Sequence, residues 1–366
     1  MEFKIDKIKL LEALNVISGA VEKRQTMAIL SNFLLEVYDN TLHMVASDLE
    51  VELSIDITPE SVESEGSITV PARKFMDITK SLPDDKVVTV NTQDNKLVIR
   101  SSRSKFTLQT LASTDYPHVE QGVGSGKLNL PAPMLSHLID KSQFAMAQQD
   151  VRYYLNGLYF EIDGTHLRTV ATDGHRLAMS QFQLQDSFDI GVIIPRKGVL
   201  ELGRLVANRS SDVSIVVGNN HIKAVLSNVT LISKLVDGKY PDYQKVIPKN
   251  TDKEILINRK VFKEGLQRAA ILSNEKFRGV KLILNNAEGI TLLSHNPEQE
   301  EAEIFIPATT QSYDLEIGFN VQYLLDVVNS CDEENIMIYL GDINSSALIQ
   351  GENNPNSIYV VMPMRL

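Results

Sequence analysis

The sequence predicts an α+β protein of three repeated domains of similar topology, each with two helices and antiparallel sheets. Self-similarity is the first reason. Residues 153–177, YYLNGLYFEIDGTHLRTVATDGHRL, read as a strand, an Asp163-Gly164 hairpin turn, a second strand and a polar tip. Residues 30–50, LSNFLLEVYDNTLHMVASDLE, repeat that order with Asp39-Asn40 in the turn, so that Leu42, Val45, Ala46 and Asp48 match Leu167, Val170, Ala171 and Asp173. Residues 277–296 are a looser third copy, and the spacing is about 125 residues each time. The second reason is that helical and alternating apolar patterns recur around each hairpin in one order.

The elements follow in turn. Each copy opens with a helix, expected at 7–24, 131–148 and 259–274; Leu10, Leu11, Leu14 and Ile17 recur at helical spacing, as do Leu135, Leu138 and Phe144. The hairpin comes next, then a second helix at 72–82, 196–205 and 320–330. Pro71 and Pro195 each precede a basic pair at the helix start. Three alternating strands close each copy: 87–91, 96–100 and 105–111, then 213–217, 221–226 and 229–235, then 336–340, 346–350 and 358–362. Polar connectors near 121–127 and 249–253 divide the chain into domains 1–121, 128–248 and 252–366.

Composition narrows the function classes. A chain of 366 residues, 43% hydrophobic, can bury a core in each domain. Its charged N-terminus and lack of long apolar runs lead us to expect a soluble, cytoplasmic protein. Cys331 is the only cysteine, which excludes an intrachain disulfide framework and a cysteine-cluster metal site. A formal charge of −11 opposes nucleic-acid binding only if spread evenly. It is not: Lys7, Lys9, Lys23, Arg24, Arg73, Lys74, Lys80, Arg196, Lys197, Arg204, Arg259, Lys260, Lys263 and Arg268 gather on the expected helices. Such segregation suits one surface that meets a phosphate backbone without reading its sequence.

Two other motifs have the residue types of chemical sites. The run 122–127, GVGSGK, fails as a phosphate loop because Gln121 stands at its first glycine and Leu128 replaces the magnesium-binding hydroxyl. Asp173 and His175 could form an acid–base pair in an enzyme acting on DNA or nucleotides, the alternative function. Against it, the other copies carry Asp48-Leu49-Glu50 and Asn296-Pro297-Glu298 at that place, and no nucleophile elbow or paired-histidine metal motif occurs. No cofactor, metal site or catalytic residue is expected. The acidic run Glu298, Glu300, Glu301, Glu303 near Ile271 and Leu272 is complementary to Arg103 and Lys105 beside Phe106 and Leu108, which suggests a head-to-tail contact between chains. The apolar tail 359–366, with two methionines, reads as part of an adaptable peptide pocket.

Separated runs identify a family. VPARKF (70–75), QDVRYYLNG (149–157), TVATDGHRLA (169–178), PRKG (195–198), SKLVDGKYPDY (233–243), AAILSNEKFRGV (269–280), NPEQEEAE (296–303), EIGFNVQYLLDV (316–327) and YVVMPMRL (359–366) give the whole chain a resemblance to the bacterial sliding clamp, the beta subunit of DNA polymerase III holoenzyme. The resemblance implies half of a closed ring of the DNA clamp fold. This homodimeric processivity factor encircles duplex DNA, is loaded by an ATP-dependent clamp loader, and holds polymerase and other replication or repair proteins through short motifs. It assigns DNA contacts to Arg24, Arg73, Gln149, Tyr153, Tyr154, Arg196 and Lys197. It assigns a peptide pocket to Leu155, Thr172, Gly174, His175, Arg176, Leu177, Pro241, Val246, Asn320, Tyr323, Ser346, Val360, Val361, Met362, Pro363, Met364 and Arg365. The ring joint would use Phe106 and Leu108 against Ile271 and Leu272, with Lys74, Arg103 and Lys105 facing Glu298, Glu300, Glu301 and Glu303. The sequence departs from the family at Lys245, where some members carry an arginine, at Lys105, which replaces an arginine, and at Ile304, which ends the acidic run one residue early.

Overall fold

The computed structural model describes residues 1–21, 27–84, 86–119, 124–249 and 251–365. Lys23 and Arg24, residues 121–123 of the 121–127 connector and Leu366 lie outside the described residues, while Gly124 to Lys127 begin a strand. The chain forms two compact units, one of Met1–Ser136 with Lys197–Leu235, the other of His137–Arg196 with Val236–Leu366.

In the first unit, β-branched and aliphatic residues alternate along antiparallel strands. Five of these form one sheet in the order Ser61–Ser64, Glu2–Asp6, Val87–Gln93, Lys96–Ser101, Ser104–Gln109. Eight form another: Gly124–Pro131, Asp212–Gly218, His221–Leu226, Val229–Lys234, Val51–Ile57, Thr41–Ser47, Asn32–Tyr38, Gly66–Pro71. Sequence and structure agree closely on these strands, and 221–226 is recovered to the residue. The larger sheet is continuous across the repeat because Val51–Ile55 pairs with Val229–Ser233. Helices α1 (Lys7–Ile17) and α2 (Ala72–Ser81) pack against each other, burying Leu10, Leu14, Ile17 and Phe75. Each such apolar side chain contributes about 1.5–3 kcal/mol.

Asp6 caps α1, accepting the Lys9 N–H at 2.9 Å. The helix ends at Ile17, well short of the expected residue 24, because Ser18-Gly19 tightens into a 3-10 turn and Val21 is extended. Lys7 also departs from the basic-surface reading: it is buried and ion-paired with Asp84. Arg204 is diverted as well, donating to the C-terminal carbonyls of Asn15 and Val16 as well as to Glu201.

The second unit holds a six-stranded sheet in the order Gly157–Thr172, Arg176–Pro195, Asn354–Val361, Ala347–Gly351, Asn335–Leu340, Lys253–Asn258. A four-stranded sheet runs Glu301–Pro307, Gly289–His295, Gly279–Asn286, Leu315–Asn320. All pairings are antiparallel, and Arg176–Ser180 pairs with Ser357–Val361 as the corresponding strands do in the first unit. Within Gly157–Thr172 the chain doubles back: Arg168 Nη1 lies 3.1 Å from Glu161 Oε2, a separation that would be about 23 Å along a straight strand. Only Gly164 has a positive φ there (62°), whereas Asp39 and Asn40 both do (45° and 57°). The Asp163-Gly164 turn is therefore not the doubly left-handed type of Asp39-Asn40; the glycine alone takes the left-handed position.

Four further helices are α3 (Ala132–Ser142), α4 (Arg196–Val206), α5 (Arg259–Ile271) and α6 (Val321–Ser330). Asn258 and Asn320 cap α5 and α6 through their side-chain oxygens. The expected extension of α3 to 148 fails because the Ser142 hydroxyl turns back to the Leu138 carbonyl at 2.7 Å and to Thr169 at 2.9 Å. Cys331 is buried, and desolvation together with neighbouring Glu333 pushes its thiol up to about 12.

Phe262 is 0% exposed within α5. Phe262→Ala should cost about 3–5 kcal/mol in denaturant unfolding, whereas Gln267→Ala on the exposed face of α5 should change stability by less than about 0.5 kcal/mol. Equal effects would contradict this packing.

Candidate partner-binding cavity

A cavity of about 300 Å³ opens in the second unit, lined by Arg152, Tyr154, Leu155, Thr172, Gly174, Arg176, Leu177, Pro241, Asp242, Tyr243, Val246, Ser346, Val360 and Met362. Its walls are built by local hydrogen bonds. Asn156 closes the 150–156 loop, accepting the Asp150 N–H and donating to the Asp150 carbonyl, both at 2.9 Å. Arg152 grips Asp150 with two nitrogens at 3.0 and 2.8 Å and donates to the Asp173 carbonyl at 3.1 Å. Those hydrogen bonds hold the Asp150 carboxyl down at about 2.

The polar tip is a self-contained knot. Asp173 Oδ1 accepts the backbone N–H groups of His175 and Arg176 at 2.9 and 3.0 Å, and Oδ2 accepts Arg176 Nε at 3.1 Å. Gly174 is favoured by its φ of +87°; an added Cβ would sit 2.9 Å from the Arg152 guanidinium, the end of a flexible side chain that would have to shift. Arg176 also pairs with Asp326 and donates to the Phe144 carbonyl at 3.0 Å, and its guanidinium lies 4.6 Å from the Tyr323 ring centroid. These contacts correct the acid–base reading. The Asp173 carboxylate is committed to structure, and exposed His175 stacks on Tyr323 at 6.3 Å instead of meeting it.

The opposite wall rests on tyrosines. Tyr240 stacks on Tyr159 with centroids 4.8 Å apart. The Tyr243 hydroxyl donates to Glu161 at 2.6 Å, and burial first, then that carboxylate, pushes the phenol up to about 12. The tail is anchored by its backbone: Met362 N–H donates to the His175 carbonyl and Met364 N–H to the Gly318 carbonyl, both at 2.9 Å. Met362 and Val246 remain about half exposed, at 49% and 55%, and offer an apolar rim.

Of the residues expected in a pocket, Leu155, Thr172, Gly174, Arg176, Leu177, Pro241, Val246, Ser346, Val360 and Met362 line the cavity. His175, Asn320, Tyr323, Val361, Pro363, Met364 and Arg365 do not. Val361 is fully buried, Asn320 caps α6 and Tyr323 supports Arg176. Arg152, Asp242 and Tyr243 were missed; their nearness to Tyr154 and Pro241 in sequence was the available signal. Tyr154, expected on the DNA face, is in the cavity wall, while Tyr153 is 57% exposed.

Among the other residues expected at DNA, the Arg73 side chain is 90% exposed and Gln149 is exposed, but Lys197 is ion-paired with buried Asp48, and Arg196 donates to the Met146 carbonyl at 3.5 Å. Of the expected joint residues, Ile271 is 76% exposed, Leu272 and Phe106 are half-buried, and Leu108 is buried. Lys74, Arg103, Lys105, Glu298, Glu300, Glu301 and Glu303 are exposed.

A repeated scaffold with a preformed apolar cavity, and with its tip carboxylate locked into structure, defines a protein that holds other molecules. Residues 1–120, 129–242 and 244–365 match the N-terminal, central and C-terminal domains of the DNA polymerase III beta subunit. Over the full length of both chains the sequence is 48% identical to the beta sliding clamp of Pseudomonas aeruginosa and 43% identical to that of Escherichia coli. The solved Pseudomonas aeruginosa DNA polymerase sliding clamp superposes with a TM-score of 0.97 at 48% identity, and Caulobacter crescentus pol III beta with 0.95 at 34%, each covering 100% of both chains. The chain belongs to the DNA polymerase III beta subunit family, the beta sliding clamps. It has three domains and serves as a polymerase processivity factor, a role that involves no catalysis by the chain itself.

Because the Tyr243 pKa is raised in the fold, its contribution to stability is complete below the ordinary phenol value of about 10 and is lost as pH rises toward 12. The difference in 295 nm absorbance between wild type and Tyr243→Phe should show a step near 12 that moves down in Glu161→Gln. A step near 10 in the wild type would contradict the assignment.

Proposed function

We propose that two copies of this chain join head to tail into a ring that encircles duplex DNA. The supporting observation is that the repeat makes the same strand joint twice within the chain and leaves both halves of a third joint open. Val51–Ile55 pairs with Val229–Ser233, and Arg176–Ser180 pairs with Ser357–Val361. By position, Glu301–Pro307 is the third copy's equivalent of Val51–Ile57, and Ser104–Gln109 is the first copy's equivalent of Val229–Lys234. Both are edge strands. Exposed edges of this kind are templates for pairing with another chain.

The register of the open joint can be carried over. Ser47↔Glu52 corresponds to His295↔Glu301, which aligns Ser54 with Glu303; Leu226↔Val229 corresponds to Ser101↔Ser104, which aligns Thr230 with Lys105. Since Thr230 pairs with Ser54, Lys105 of one copy stands opposite Glu303 of the other. Opposite charges then face each other beside Phe106, Leu108, Ile271 and Leu272. A heterologous joint repeated with suitable rotation closes into a ring.

Retention by enclosure needs only weak, sequence-independent phosphate contacts. Arg73 is the best-exposed candidate, with Gln149, Tyr153, Arg196 and Lys197, the last after release from Asp48. The cavity beside Met362 captures short linear segments of polymerase subunits, clamp-loader subunits and other DNA-handling proteins, and an ATP-dependent loader opens the ring. The protein works in the cytoplasm as domains 1–121, 128–248 and 252–366. No helix among the described residues is long and apolar enough to cross a membrane.

Lys105→Glu should shift the dimer toward monomer in sedimentation velocity, and combining it with Glu303→Lys should restore the dimer. A dimer unaffected by Lys105→Glu, or a double variant no better than the single, would sink the joint.

A further inference from the structure

The seam beside the apolar cavity has a counterpart in the first unit. Lys234 N–H donates to the Glu50 carbonyl at 2.8 Å just as Met362 N–H donates to that of His175 at 2.9 Å, and Tyr116, like Tyr240, is 5% exposed. Next to this seam is a cavity of about 370 Å³ lined by Leu49, His118, Val119, Asn220, His221 and Lys234. The position is repeated, but the chemistry is not. Lys234 stands where the other cavity has Met362, His118 where it has Asp242, and Val119 where it has Tyr243.

The lining is held in place. Glu52 is buried; its Oε2 accepts the Val119 N–H at 3.0 Å and lies 3.4 Å from His118 Nδ1, so its charge is engaged with the loop that carries His118. His221 is 2% exposed, and its Nδ1 is 2.9 Å from Asn220 Oδ1, which leaves Nε2 as the nitrogen a ligand could meet. Among the described residues, exposed Lys234 has no ion-pair partner. A cation and two imidazoles line a small polar space; of the carboxylates beside it, Glu52 is engaged by Val119 and His118, Asp48 by Lys197 and the N–H groups of Glu50 and Val51, and Glu50 is exposed. That arrangement suits an anion and disfavours an apolar segment.

We propose that this cavity is a second binding site, selective for a compact oxyanion, either phosphate or a carboxylate carried by an acidic protein segment. Lys234 supplies the charge, and the imidazolium forms of His118 and His221, with Nδ1 turned to Glu52 and Asn220, donate directed contacts from Nε2. The site is independent of peptide capture at the Met362 cavity.

The test uses the full-length protein carrying ¹³C-labelled histidine, with His118 and His221 assigned from His118→Gln and His221→Asn. Two probes are titrated: inorganic phosphate and an N-acetylated, C-amidated Asp-Glu-Asp tripeptide. Both imidazole signals should shift saturably. Lys234→Met should weaken binding at least about tenfold, the loss of one charge-assisted contact, while Lys234→Arg retains it. Tighter saturation by phosphate identifies a free-anion site, and tighter saturation by the tripeptide identifies a protein segment; either supports the proposal. No saturable shift with either probe, or unchanged affinity in Lys234→Met, overturns it.

Discussion

The pairing of Arg176–Ser180 with Ser357–Val361 is the constraint on which the rest of the second unit depends. It makes one sheet out of strands from two repeats, so the junction has the directional hydrogen bonding of a strand interior instead of the looser contact of two domain surfaces. The strand carries Met362 to the His175 carbonyl and so lays an apolar tail beside the tip of the central hairpin. The Asp173–Arg176 knot then fixes that tip from the other side. The cavity results from this seam, and the side chains around it decide only what it accepts.

The first unit shows how much freedom those side chains have. There the same seam, with the same backbone contact at Lys234, encloses a polar space in place of an apolar one. The proposed joint between chains would be the third instance of this logic, with Lys105 opposite Glu303 where the seam of the first unit has Thr230 and Ser54. One backbone device thus serves cohesion within each unit and the shaping of its cavity. The excess of acid over base in the sequence fits the proposed encirclement if phosphate contacts are confined to a few exposed side chains such as Arg73.

Much of the fold was legible in the sequence because strand alternation and helical spacing are local signals, and because three copies report on one another. Strands 221–226, 229–235 and 96–100 were placed within a residue at each end. Tertiary partners were not legible. Lys7 is ion-paired and buried because Asp84, far along the chain, faces it, and Lys197 is drawn to Asp48 for the same reason. The reach of α1 was overestimated because the break at Ser18-Gly19 is weak against a continuing apolar pattern. Ten of the cavity residues follow from the family resemblance, eight of them inside its motif runs and two, Val246 and Ser346, outside them. Arg152, Asp242 and Tyr243 lie inside the same runs, but nothing there marks them as cavity residues, since each earns its place through a contact with Asp150, the mouth of the cavity or Glu161 that no spacing rule encodes.

The central claim is enclosure: the chain stays on DNA by topology and holds it only weakly. The most direct measurement is retention of the loaded protein on a closed circular duplex compared with the same duplex after linearisation, at a salt concentration that suppresses phosphate contacts. The account predicts that protein remains on the circle and is lost from the linear form within the time needed to slide off its ends. Equal retention on both, or equal loss from both, would contradict it.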